Sequence, residues 1–402
     1  MTGNTPPLDG LRVIEFGQFV AAPSVGRILA DFGADVVKVE APSGDPLRGW
    51  GASIKDSSSW WWRMQARGKR LVAIDHNDPK GRQISLELAK KCDVLVSNLR
   101  PGRMESWGLG YTDVSAANPA IVYANISGFG ATGPYRMRPG FGNIAEAMGG
   151  IRYVTGFPDR PPVRTGLSVG DELAALQAVI GILVALRRRE ADPDHRGEFV
   201  DVALNESVLA ITEGLIPEYA NAGIVQERTG NQLLRSAPSN IYPTSDNRWV
   251  AISANSTKTF VSLAKAMNRP ELADDPRLMT NSGRVAAADE LDEAIASWSV
   301  QHDHDSLLRL LEGAQIPSGP VMSAKDLYED PQLAARKMIR RTYTRSGESV
   351  EMLDVVPKLA TSPGAIRWAG GEIGEDTESV LAEYLGMPQH EVKKLRDLGV
   401  IR

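Results

Sequence analysis

Strand-length apolar runs alternating with helical segments constrain the first half of this chain to very few folds. LRVIEFG (Leu11–Gly17) leads into a helix opened by proline, PSVGRILADFGA (Pro23–Ala34), and then into DVVKVE (Asp35–Glu40). KRLVAID, PKGRQISLELAKKC and DVLVSN repeat the scheme, and IVYANISG (Ile121–Gly128) adds another strand. Strands this uniformly apolar are buried on both faces, as in a parallel sheet covered by helices. The expected fold is α/β: a Rossmann-like large domain with a parallel sheet, plus a smaller α+β domain.

At 402 residues the chain exceeds what one core organises. The strand–helix pattern supports a large domain over residues 1–200 and a linker helix over 201–227. A Gly/Asn/Pro/Ser-rich stretch, RTGNQLLRSAPSNIYPTSDN, opens a small domain at 228–327. A return linker (328–350) then leads to a C-terminal segment (351–402) too poor in apolar residues to fold alone, which is expected to rejoin the large domain.

A nicotinamide dinucleotide is the ligand such a start first suggests, and Glu40 ends the second strand where a ribose-binding acid would stand. The turn after the first strand is GQFVAAPSVG, however, with no G-x-G-x-x-G. Val20, Ala21 and Ala22 carry side chains where a pyrophosphate needs bare backbone, so Glu40 reads as a structural acid. A net charge of −5 argues against a broad nucleic-acid footprint. One cysteine, Cys92, allows no internal disulfide and fits a reducing compartment. The N-terminus lacks the pattern of a signal peptide, and the longest apolar run, Ala178–Leu186, is short of a bilayer. The expectation is a cytoplasmic protein off the membrane. With five histidines and the i, i+2 spacing of His302 and His304, no metal site is expected.

TGLSVGDELAALQAVIGILVALRRRE (Thr165–Glu190) is an apolar helix with a carboxylate, Asp171, in its first turn. Ser168-x-x-Asp171 fits a capping box, and an acid there favours the helix dipole. Two features favour chemistry instead. Glu172 supplies the first-turn charge by itself, and the small residues of GLSVG leave room for a ligand. Leu173, Leu176, Val179, Ile180, Leu183 and Leu186 are expected to bury the helix as a rigid support.

Nearly end to end, the sequence resembles the family III CoA-transferases, the group containing formyl-CoA and carnitine CoA-transferases. The matching segments are PLDGLRVIEFGQFVAAP, LADFGADVVKVEAPSGDPLRGW, GKRLVAIDHNDPKGR, DVLVSNLRPGRMESWGLGY, NPAIVYANISGFGATGP, the Asp171 helix, IPSGPVMSAKDLYEDPQL and GEDTESVLAEYLG. The resemblance implies that Asp171 is the catalytic nucleophile, forming an aspartyl anhydride and then an aspartyl-CoA thioester as CoA passes from an acyl-CoA to a free carboxylic acid. An ionised aspartate is the ordinary form at neutral pH. It further implies coenzyme A as substrate and product with no tightly bound cofactor, and an interlocked homodimer whose active site lies between the large domain of one chain and the small domain of its partner.

By the same resemblance CoA contacts are expected from Gln18, Phe19, Val20 and Ala21 after the first strand and from Asn98, Arg100 and Arg103 after the fourth. Arg48 and Lys69 are further candidates, Phe141, Gly142 and Gly170 fall in the substrate pocket, and Trp60-Trp61-Trp62 offers an acyl or adenine wall. Formyl-CoA transferase relatives carry glutamine at Val20, arginine at Ser106, a tyrosine–acid pair at Phe141-Gly142, and a glycine run in the small domain. Loss of those polar groups points to a larger or more apolar acid. Racemases of the same superfamily pair an aspartate with a histidine, and none lies between Ser127 and Asp171. A CoA-binding protein without activity is the remaining alternative.

Overall fold

In a computed structural model, which describes residues 5–53 and 58–402, the alternating segments form one six-stranded sheet. Its strands are β1 (Arg12–Phe16), β2 (Asp35–Glu40), β3 (Arg70–Ala73), β4 (Val94–Ser97), β5 (Val122–Ser127) and β6 (Phe199–Ala203). All pairings are parallel, in the order β3-β2-β1-β4-β5-β6. The helices of this region are α1 (Ala21–Asp31), α2 (Trp60–Gln65), α3 (Pro79–Ala89), α4 (Arg103–Ser106), α5 (Tyr111–Ala117), α6 (Gly142–Met148), α7 (Ile151–Val154), α8 (Val169–Ala191) and α9 (Leu204–Leu209).

Neighbouring residues on a strand point to opposite faces, and here both faces are apolar. Val13, Val36, Val94, Val122 and Ala124 pack under α1 and α8. Ile14, Val37, Leu95 and Tyr123 join a second core with α3 and the C-terminal helices Thr377–Leu385 and Gln389–Asp397. The strand order reverses between β1 and β4, so the loops leaving their carboxyl ends diverge and open a crevice, the usual ligand position in open α/β sheets.

The chain divides into two compact units. The first holds the sheet and runs to Ile151, resuming over Thr165–Ile216 and Gln332–Arg402; the second comprises Arg152–Arg164 and Pro217–Pro331. The boundary thus falls before residue 228, and β6 and α9 belong with the sheet rather than with a linker. Residues 152–164 enter the second unit through local bonds invisible to sequence patterning. Arg228 donates to the carbonyls of Tyr153 and Phe157, and Gly230 N–H donates to Gly156 O. Residues 332–402 supply a hairpin and the helices on the second face, and Ile401 bridges to Ile74. The second unit is an antiparallel sheet, residues 239–243, 249–253 and 318–320, packed with helices around Tyr242, Val250, Phe260, Leu291 and Leu307.

The face α8 buries is made mostly of small residues: Gly170, Ala174, Ala175, Ala178 and Ala185, with Ile182 and Leu186, lie on the side that meets α1, β5 and β6. Leu176, Ile180 and Leu183, expected inside, are 50%, 55% and 42% exposed, as is much of Val184. At 23 residues α8 is also long and apolar enough to cross a bilayer by length and composition, which its short unbroken apolar run does not suggest.

Candidate active site

A cavity of about 780 Å³ opens at the carboxyl edge of the sheet, where the strand order reverses. Its walls come from the loops after successive strands: Gln18–Ala21 after β1, Gly44–Pro46 after β2, Asp75–Asn77 after β3, Asn98–Arg103 after β4 and Gly128 after β5. Arg138–Phe141 and Asp171 close one side.

Asp171 stands in the first turn of α8 and is half-buried. No capping box forms: the Ser168 side chain makes no cap hydrogen bond. The cap comes from another helix, since buried Glu146 on α6 accepts the Gly170 N–H at 3.3 Å through Oε1. Glu172 fastens the same helix end to α1, accepting from Ser24 Oγ at 2.9 Å and lying 3.6 Å from the Arg27 guanidinium. The end of α8 is therefore held by its neighbours through Glu146 and Glu172.

Gly142 makes room for that carboxylate. A Cβ at residue 142 would lie 2.1 Å from Asp171 Oδ2 and 2.7 Å from the carboxyl carbon, far inside contact distance. Gly170 packs on the same spot, where a Cβ would meet Gly142 O at 3.0 Å; it supports the pocket without lining it. Phe141 lines the cavity and is 58% exposed.

Gln18, Phe19, Val20, Ala21, Asn98, Arg100 and Arg103 all line the cavity. Asn98 does so while bonded to the opposite loop: its Oδ1 accepts from Gln18 N at 2.9 Å and its Nδ2 donates to Gln18 O at 2.9 Å. Phe19 holds a left-handed backbone, φ 61°, with its N–H donated to Asp45 Oδ1 and its ring 4.8 Å from that of Trp50. Arg100 and Arg103 are exposed and pair with no carboxylate among the described residues; Arg103 lies over the Trp107 ring at 4.6 Å.

Arg48 and Lys69 do not line the cavity; buried ion pairs take both. Arg48 grips Glu40 through Nη2 at 2.7 Å and Nε at 2.9 Å and covers the Trp62 ring. Glu40 is thus the structural acid expected. Lys69 Nζ donates to Glu15 Oε2 and Pro23 O, each at 2.7 Å. The other Glu15 oxygen takes Lys38, which also donates to Gly17 O at 2.7 Å and lies 3.0 Å from Asp45 Oδ2. Burial opposes charge on Lys38, but Glu15, Asp45 and Glu40 together raise its pKa. Burial and the neighbouring Lys38 lower that of Lys69. This buried network shapes the β1 loop from beneath, and two of its acids, Glu40 and Asp45, also belong to the cavity wall. Nor do the tryptophans form a wall: Trp62 is buried and donates to Gly371 O at 3.0 Å, and neither Trp60 nor Trp61 is among the residues that line the cavity.

Arg138 and His76 are among the lining residues that sequence reasoning misses. Arg138 lies in an exposed loop with no motif around it. His76 is distant in sequence from Asp171, but β3 brings it to the cavity, where it stacks on Trp107 at 4.3 Å and its Nε2 lies 2.9 Å from Ser85 Oγ. Burial, helped by Arg103 and Arg82 against Asp75, pushes its pKa down to about 4. In the unfolded chain the imidazole titrates near 6.5, so the unfolded state gains the proton first as pH falls. The stability that neutral His76 contributes is present above 6.5 and is lost between 6.5 and 4. His76→Gln is expected to shrink the difference in unfolding free energy between pH 7 and pH 4.5 by roughly 2–3 kcal/mol, read from urea titrations at the two pH values.

Among the described residues no group of three or more His, Cys, Asp or Glu is placed to hold a metal ion. The arrangement instead offers one carboxylate on a rigid helix, in a groove with unpaired arginines, suited to covalent catalysis on an anionic thioester.

The chain is 43% identical over 98% of each sequence to a succinyl-CoA–D-citramalate CoA-transferase of Chloroflexus aurantiacus. It is 39% identical to the β subunit of a succinyl-CoA–L-malate CoA-transferase of the same organism, over 100% of this chain and 99% of that one. A crystal structure of a CaiB/BaiF family protein from Brucella suis superposes with a TM-score of 0.85 at 32% identity, over 94% of this chain and all of that one. The family model for CoA-transferase family III matches residues 8–377, and the chain belongs to that family.

Proposed function

We propose that this enzyme moves CoA from an acyl-CoA donor to a free carboxylic acid, with Asp171 as the nucleophile. The observation that carries this reading is the Asp171 carboxylate, set against Gly142 at the side of the groove on a helix end capped by other residues. An Asp171 oxygen attacks the donor's thioester carbonyl, and the C–S bond breaks to release CoA thiolate and leave a mixed anhydride. The thiolate attacks the aspartyl carbonyl, forming the Asp171–CoA thioester and freeing the donor acid. The acceptor carboxylate attacks that thioester, expelling thiolate and forming a second anhydride; thiolate attack on the acceptor's carbonyl regenerates Asp171 and yields the new acyl-CoA. Each thioester bond broken is replaced by one formed, so no nucleotide is consumed.

Arg100 and Arg103 are suited to the phosphates of CoA, and the Gln18–Ala21 loop to its pantetheine arm. Asn98 acts by holding that loop. Succinyl-CoA, the donor in the relatives' names, is the natural first donor to test, with small dicarboxylic acids as acceptors. Incubation with succinyl-CoA followed by borohydride or hydroxylamine should mark Asp171 alone by peptide mass; labelling elsewhere, or none during turnover, rejects the scheme.

The working form is further proposed to be the interlocked homodimer. Leu176, Ile180, Leu183 and Val184 form an exposed apolar stripe along α8 that a second copy would cover. Light scattering should return the mass of two chains; a fully active monomer contradicts it.

A further inference from the structure

We infer that Arg138 reads the free carboxylate at the far end of a dicarboxylic acyl chain while Asp171 engages the other end. The inference rests on the CoA-transfer reading above and adds to it the residue that selects the acyl group.

Arg138 lines the cavity, and among the described residues it makes no ion pair. It differs in position from the other two unpaired arginines of the groove. Arg100 and Arg103 share the loop after β4, whereas Arg138 stands four residues before Gly142, the residue in contact with the Asp171 carboxylate. Four residues span at most roughly 14 Å, which bounds how far the Arg138 backbone lies from the Gly142–Asp171 contact in the cavity both arginine and aspartate line.

Its loop is anchored. The backbones of Gly128 and Gly140 touch, so that a Cβ on Gly128 would lie 2.9 Å from Gly140 Cα. Asp201 on β6 accepts the Ala131 N–H at 2.9 Å. Arg138 donates its own N–H to Tyr135 O at 2.8 Å and lays its guanidinium over the Tyr135 ring at 3.8 Å from the centroid. Tyr135 meets Phe129 edge-on at 5.9 Å. An arginine braced on an aromatic face loses little freedom when it pairs with a carboxylate, and its planar fork suits that partner.

A monocarboxylic acyl group presents nothing for this cation to pair with. A dicarboxylic one carries an anion at the end opposite the thioester. The loss of polar side chains at Val20 and Phe141-Gly142, read in the sequence as favouring a more apolar acid, is thus offset by a cation on the neighbouring loop.

Succinyl-CoA and butyryl-CoA have acyl chains of equal length and differ in the terminal carboxylate. Their kcat/KM values as donors to one common acceptor therefore isolate it. The wild-type enzyme should prefer succinyl-CoA, and Arg138→Leu should lower that preference roughly 10-fold, the scale of losing one hydrogen-bonded charge pair at an exposed arginine. Arg138→Lys should restore part of the ratio, which a merely structural defect would not do. Equal losses with both donors would assign Arg138 to the phosphates common to both and overturn the inference. A wild-type enzyme that uses the two donors equally well would also overturn it, with CoA transfer itself left standing. No transfer from either donor to any acid would instead strike the reading beneath it.

Discussion

Asp171→Ala is expected to remove CoA transfer, lowering kcat by roughly 10⁴-fold or more, because the route through two anhydrides and an aspartyl thioester has no substitute nucleophile. Asp171→Asn should be nearly as inactive, since a neutral amide does not attack a thioester. Both variants should stay folded. The helix end is capped by Glu146 and tied to α1 by Glu172, so it does not depend on Asp171 alone. Alanine is moreover a strong helix former. The check is paired: steady-state exchange of CoA between two acids, and a melting curve on the same preparation. Wild-type turnover in the alanine variant would end the assignment.

Gly142→Ala is expected to cost nearly as much without touching the nucleophile's chemistry. Its Cβ would need the space now held by Asp171 Oδ2, 2.1 Å away, so the carboxylate must swing aside. A displacement of about 1 Å at a reacting centre costs on the order of 100-fold in rate, and the overlap here demands at least that. Gly142 is the first residue of α6 and holds no positive φ, so its backbone accepts alanine. The fold should therefore persist as kcat falls. A Gly142→Ala enzyme with unchanged kcat would mean that Asp171 has a second productive position.

The parallel sheet is legible because each strand is apolar on both faces and each connection is of helix length; Val13 and Ile14, adjacent in sequence, do enter opposite cores. Asp171 is legible by its place at the opening of an apolar helix and by the resemblance, and the structure brings it to the same cavity as the loops after β1 and β4. What the sequence hides is pairing across distance. Arg48 and Lys69 resemble phosphate ligands until Glu40 and Glu15 are seen to occupy them. Ser168-x-x-Asp171 has the spelling of a capping box, but Glu146 fills that role from another helix. Arg138 and His76 belong to the cavity through loop geometry alone, and no periodicity marks them. The outer leucines of α8 obey helical spacing yet stay exposed, because spacing defines a face and not what covers it.

The alanines along the buried side of α8 have a practical consequence for anyone reading variants of this enzyme. They let the rod lie close upon the strands, with little slack to absorb an added methyl group. Enlarging Ala178 or Ala185 would lift the rod and carry its leading carboxylate with it. Remoteness from the groove is therefore a poor guide to harmlessness here, and losses of turnover should track one stripe of a single helix as much as they cluster around the ligand.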